Sequence, residues 1–161
     1  MEVGKESANN SVDNGKYPFF TNSTKDKLAR INKYSYNTSA TLVNFGGSDF
    51  RARFYRGKFE ASDFAYIVLV KSQNLTFLIF ESICFVLPQI YKCSVDYKKL
   101  KKQQLEEIKI IIPDIKTLEK FNNICEFIQL KIENLQKNIE RLEKIKNDLF
   151  KMIFSRKIAI N

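Results

Sequence analysis

Residues Ile108–Phe154 read IKIIIPDIKTLEKFNNICEFIQLKIENLQKNIERLEKIKNDLFKMIF, and the change of pattern at Pro113 decides the fold. Before the proline stands a β-branched run, IKIII, of the kind that forms strands. After it a seven-residue apolar repeat begins. Leu118, Cys125, Ile132, Ile139, Lys146 and Ile153 fall at one seam position, and Phe121, Ile128, Leu135, Leu142 and Leu149 at the other. Only Lys146 interrupts the two series. Glu and Lys flank them, as in Glu140-Arg141 and Glu143-Lys144, and no Gly or Pro follows Pro113. The spacing predicts one long helix with a coiled-coil seam. From Leu118 to Ile153 such a helix runs about 54 Å at 1.5 Å per residue. Its apolar stripe needs a second helix or a surface to lie on.

Upstream the period shortens. Tyr17-Pro18-Phe19-Phe20, Thr41–Phe45, Phe50–Tyr55 and Tyr66–Val70 have strand character, and Ile108–Ile112 is expected as a last strand. Gly46-Gly47 and Arg56-Gly57-Lys58 read as turns. Residues 1–16, rich in Asn, Ser and Gly, read as a loop. Leu75–Ile90, LTFLIFESICFVLPQI, is apolar but falls short of the roughly 20 residues of a spanning helix. It holds Glu81 in its middle and Pro88 near its end, so a buried helix to about residue 92 is expected. The fold class is therefore α+β. A small domain over residues 1–113 precedes one long C-terminal coiled-coil helix over 114–161.

With 161 residues, 44% of them hydrophobic, the chain has material for a core. The net charge of +9 and pI near 9.4 favour a polyanionic partner, nucleic acid or an anionic membrane surface. The chain has no histidine, which removes the commonest general base and His metal ligands. Cys84, Cys93 and Cys125 show no paired spacing, so neither zinc nor a disulfide framework is expected. The Asn-rich start has no apolar signal core, and reduced thiols suit a cytoplasmic protein. No phosphate-binding loop or dinucleotide fingerprint is present, so no cofactor is expected.

The segment RARFYRGKF (51–59) is basic and aromatic at once. Read as a strand, it puts Arg51, Arg53 and Tyr55 on one face and Phe50, Ala52 and Phe54 on the other. One face can pack while the other presents guanidinium groups beside a ring. Arginine suits bidentate reading of guanine edges and lysine suits phosphate. Arg51, Arg53, Tyr55 and Lys58 are thus candidate DNA contacts, with Lys16, Tyr17, Thr21, Asn22 and Ser23 from the earlier polar-aromatic stretch. The Lys98–Lys102 cluster could grip phosphates without sequence preference. Phe121, Ile128, Ile132, Leu135, Ile139, Leu142 and Leu149 are the candidate partner interface.

The order of these features carries a resemblance. NGKYPFFTNS (14–23), KYSYNTSATLVNFGG (33–47) and YRGKFEASDFAYIVL (55–69) are followed by KKLKKQQLEEIKIIIP (98–113) and the helix through RLEKIKNDLFKMIF (141–154). In this order they resemble the target-recognition domain and helical spacer of type I restriction–modification specificity subunits. The resemblance implies a non-catalytic subunit that reads duplex DNA. It implies methyltransferase subunits as partners, with the restriction subunit joining that assembly, and no membrane role. Full subunits of this kind carry two recognition domains and two antiparallel helices. One domain and one helix therefore imply a half-subunit that pairs through its seam as a homodimer. The rival readings are a coiled-coil adaptor without DNA binding and a silent or truncated specificity cassette.

Overall fold

The computed structural model describes residues 1–23, 28–46, 49–93 and 99–155. Gly47, Lys98 and part of the polar stretch after Asn22 lie outside these. The chain divides into two compact units, Met1–Ile112 and Pro113–Asn161.

The first unit is built on six strands: β1 (Glu2–Val3), β2 (Tyr17–Phe20), β3 (Ala29–Ile31), β4 (Tyr36–Asn44), β5 (Ala52–Ala61) and β6 (Ala65–Val68). They form one sheet in the order β1-β6-β4-β5-β2-β3. All pairs are antiparallel except β2 with β5, where Phe19 lies opposite Glu60. β4 is the hub and pairs with both β5 and β6. The register runs unbroken from Tyr36 opposite Phe59 to Val43 opposite Ala52.

The sheet cannot be flat. The β4–β5 register, continued two residues, sets Ala61 level with Tyr34, whereas Ala65 pairs with Asn44. Ten residue steps, from the level of Tyr34 to that of Asn44, span about 33 Å in a flat sheet. Four chain steps from Ala61 to Ala65 reach at most about 15 Å. The sheet therefore curls until the end of β5 meets the start of β6. Residues 4–6 close the gap: Gly4 N–H donates to Ala65 O, and Glu6 N–H to Ala61 O. A Cβ on Gly4 would collide with the carbonyls of Ala61 and Ser62 there.

Two cores follow, one on each face. The inner face holds Phe20, Ala40, Leu42, Phe59, Ala61, Ala65 and Ile67, with Tyr36 and Tyr55 packed against them. The outer face holds Val43, Phe45, Phe50 and Tyr66 beneath α1 (Thr76–Cys93) and the segment of Leu100 and Leu105. Phe54 meets Phe77 and Phe80 of α1 at ring-centroid distances of 5.2 and 5.8 Å. The short α2 (Lys102–Glu106) is tied down by Tyr66, whose hydroxyl donates to Leu100 O at 3.1 Å.

Several expectations are corrected. Arg56-Gly57-Lys58 is not a turn but lies inside β5, where Gly57 pairs with Thr38. Its φ of 122° is one that glycine alone adopts without strain, and it absorbs part of the curl. Ile108–Ile112 forms no strand, because no neighbour offers it a ladder; Ile111 is 89% exposed. The first sixteen residues are not merely a loop, since Glu2 and Val3 extend the sheet beside β6. By length and apolarity α1 could cross a membrane. In this fold it is buried along one face only, through Phe77, Ile83 and Leu87, while Phe85 is 74% exposed.

The second unit is α3 (Ile115–Phe154), a single helix of 40 residues. Asp114 caps it, accepting from Thr117 N–H at 3.1 Å and from the Thr117 hydroxyl at 2.6 Å. These bonds hold the Asp114 carboxyl below its ordinary pKa. Leu, Lys, Glu and Ile fill the helix with no breaker, so the heptad pattern extends along its whole length.

Candidate nucleic-acid interface

The alternation of β5 decides where each candidate side chain goes. Arg53, Tyr55 and Phe59 share the inner face with their β4 partners Leu42, Ala40 and Tyr36. Tyr55 sets its ring edge-on against Phe20 and Phe59, at 5.4 and 5.8 Å. It is thus a packed anchor as much as a surface group.

Beyond Tyr55, toward the start of β5, the inner face opens into a recess lined by Thr21, Ser23, Asn44, Arg51 and Arg53 over a floor of Phe20, Leu42 and Ala65. Four of the predicted contacts meet here, from segments far apart in sequence. The recess offers about 10 Å³ of free room, about one water's worth, against the ~300–1,000 Å³ of ordinary ligand pockets. It is a polar surface feature rather than a metabolite site. Asn22 is exposed between its two lining neighbours.

Asn44 builds this corner. It is 6% exposed, and its side-chain amide donates to Asp49 O at 2.9 Å and to Gly46 O at 3.4 Å. Its carbonyl oxygen accepts from Arg51 N–H. The connection that carries Arg51 into β5 is thereby fixed from beneath. An Asn at a strand end ahead of Gly-Gly is the sequence signal for this role, one that side-chain charge does not reveal.

The remaining candidates lie on the opposite face. Lys58 is opposite Asn37, one residue out of phase with the inner set. The parallel pairing of Phe19 with Glu60 brings Tyr17 level with Lys58 on that same outer face. Lys16 Nζ stands 5.4 Å from the Tyr17 ring centre and Lys58 Nζ stands 4.7 Å from that of Tyr34. The rings of Tyr17 and Tyr34 meet edge-on at 4.8 Å. Tyr34 was not among the sequence candidates. The nine predicted contacts thus fall into two groups, and Lys16, Tyr17 and Lys58 do not join Arg51 and Arg53.

Along α3, six of the seven seam residues are exposed: Ile128 50%, Ile132 41%, Leu135 61%, Ile139 56%, Leu142 64% and Leu149 47%. Phe121 is half-buried. Among the described residues no three His, Cys, Asp or Glu side chains gather as a metal site.

The sequence matches the family described as Type I restriction modification DNA specificity domain over residues 4–149. The chain belongs to this family. It is 25% identical over 148 residues to the type I restriction enzyme EcoDI specificity subunit of Escherichia coli, covering 90% of this chain and 32% of that protein. Its fold matches the crystal structure of a type I restriction–modification system S subunit from M. genitalium with a TM-score of 0.68. That match has 17% identity and covers 96% of this chain and 42% of the other. The chain thus spans about a third of its curated relative and under half of the solved subunit. A mixed sheet domain followed by one long helix is the architecture of this specificity-domain match.

Proposed function

We propose that the chain is a sequence-specific DNA-recognition module that directs a methyltransferase, and with it a restriction subunit, to its target site. The observation that carries the reading is the recess of Arg51, Arg53, Thr21 and Ser23 on a member of a DNA specificity family. Two guanidinium forks beside two hydroxyls form a donor set suited to guanine edges and the adjoining phosphates. The firmly bonded Asn44 corner holds one arginine in register before DNA arrives, which reduces the ordering cost of binding. Neither catalysis nor a cofactor is assigned to the chain. Methyl transfer belongs to the partner, and the compartment is the cytoplasm, where the DNA lies.

The second half of the proposal concerns α3. Its exposed seam is covered by a like helix, so that two copies make a homodimer with two recognition domains. Methylation mapping tests the whole reading. The chain is co-expressed with the methyltransferase subunit encoded beside it, and host DNA is sequenced for modified bases. One modified motif is expected for the native chain. Arg51→Ala with Arg53→Ala should abolish or relax that motif while the protein stays folded. A motif unchanged by the double substitution overturns the arginine assignment. No motif at all, with the methyltransferase active beside another specificity subunit, overturns the recognition role.

A further inference from the structure

We propose that the outer-face cluster of Lys16, Tyr17, Tyr34 and Lys58 is a separate grip on the DNA sugar–phosphate backbone, blind to sequence, while the Arg51–Arg53 recess carries the sequence reading. The inference rests on the DNA-recognition reading above and divides the work between the two faces of the sheet.

Geometry separates the groups first. Residues alternate across a strand, and the β4–β5 register is unbroken, so Lys58 and Arg53 cannot share a face. The chemistry of the two groups differs as well. The recess presents planar guanidinium forks, whereas the outer cluster presents ammonium groups, compact charges suited to phosphate and poor at discriminating base edges.

The two tyrosines explain why this cluster is more than two surface lysines. Lys58 Nζ lies over the Tyr34 ring and Lys16 Nζ over the Tyr17 ring, at 4.7 and 5.4 Å, while the rings brace each other at 4.8 Å. Cation–π contact holds each ammonium in place yet leaves its N–H donors available. Long side chains held in this way lose less freedom when a phosphate arrives. Lys16 is fixed at its backbone too, where its N–H donates to the Asn32 side chain at 3.2 Å.

The surroundings complete a phosphate-binding surface. Asn37 and Ser39 are exposed on the same face of β4 and supply further donors. The carboxylate that this face of β5 carries, Glu60, is only 2% exposed and is occupied by the Ser35 hydroxyl at 2.7 Å and by Ala61 N–H at 3.1 Å. It is thus withdrawn from the surface on which the lysines stand.

The test measures binding of the full chain to a mixed-sequence duplex by fluorescence anisotropy between 50 and 200 mM salt. Lys16→Ala with Lys58→Ala should weaken binding and flatten the slope of log K against log salt by about 1.8, two phosphates at roughly 0.9 each. Lys16→Gln with Lys58→Gln, which keeps the stems, should do the same. Tyr34→Phe should retain native affinity because the ring is kept, while Tyr34→Ala should weaken it several-fold. The methylated motif should be the same in the lysine variants as in the native chain, unlike that of the arginine variant. Lysine variants that bind with native affinity and slope, while the native chain binds, overturn the grip. A native chain that binds no duplex overturns the underlying reading and this inference with it.

Discussion

Single side chains carry much of the first unit's stability. Phe59 is fully buried, with the rings of Phe20, Tyr36 and Tyr55 at 5.6, 5.1 and 5.8 Å. It sits where the curled sheet closes on itself, so its neighbours cannot collapse into a vacated space without uncurling β5. Phe59→Ala should cost about 3–5 kcal/mol in urea unfolding. A loss under about 1 kcal/mol would show that the inner core is not packed as described. The cysteines differ in the same local way. Burial, and secondarily the charge of Glu81, push the Cys84 thiol up to about 11, whereas Cys93 is exposed. Since the thiolate is the nucleophile, iodoacetamide at pH 8 should label Cys93 well before Cys84. Peptide mass mapping over time reads the order directly, and equal rates would contradict the buried setting of Cys84.

At the scale of elements, α3 poses the clearest physical problem. A helix of 40 residues whose apolar stripe is 41–64% exposed at Ile128, Ile132, Leu135, Ile139, Leu142 and Leu149 leaves much apolar surface in water. Pairing two such stripes buries them both. Leu135→Glu with Leu142→Glu places charges in the middle of the seam and should convert a self-associating chain into a monomer. Helix content should change little, because both residues are exposed and Glu is a good helix former. Sedimentation velocity with circular dichroism separates these outcomes. A native chain that is monomeric at tens of micromolar would instead give the seam to a different protein. β5 presents the complementary case. On the proposed assignment it carries Arg51 and Arg53 on one face and Lys58 on the other, so a one-residue slip in its pairing would exchange the two sets.

For the whole molecule, symmetry turns the proposed pairing into a statement about DNA. Two identical recognition domains joined by a two-fold axis meet identical half-sites in opposite orientation. The methylated motif should therefore be an interrupted palindrome, with its spacer set by the paired helices. An asymmetric motif would mean that a different recognition domain completes the assembly. The net charge of +9 belongs to this scale too: on the proposed reading it would draw the chain to DNA before any base is read.

The amino-acid sequence by itself determined the long helix, its start near Pro113 and its seam, because a seven-residue repeat over eleven positions admits one local solution. It also determined the alternation of RARFY, the strands around Tyr17–Phe20, Thr41–Phe45 and Tyr66–Val70, and the apolar helix from Leu75 to about residue 92. These are properties of neighbours in the chain. Tertiary structure decided what neighbours could not. Ile108–Ile112 has every propensity for a strand but meets no free ladder, so it stays unpaired. Arg56-Gly57-Lys58 has the composition of a turn but finds Ser39, Thr38 and Asn37 across from it, and continues as strand. That continuation carries Lys58 to the outer face beside Tyr17 and Tyr34. The curl meanwhile brings Thr21 and Ser23 to Arg53 on the inner one. Which basic residues lie together was settled by pairing and curvature, both of which depend on contacts between residues distant in the chain.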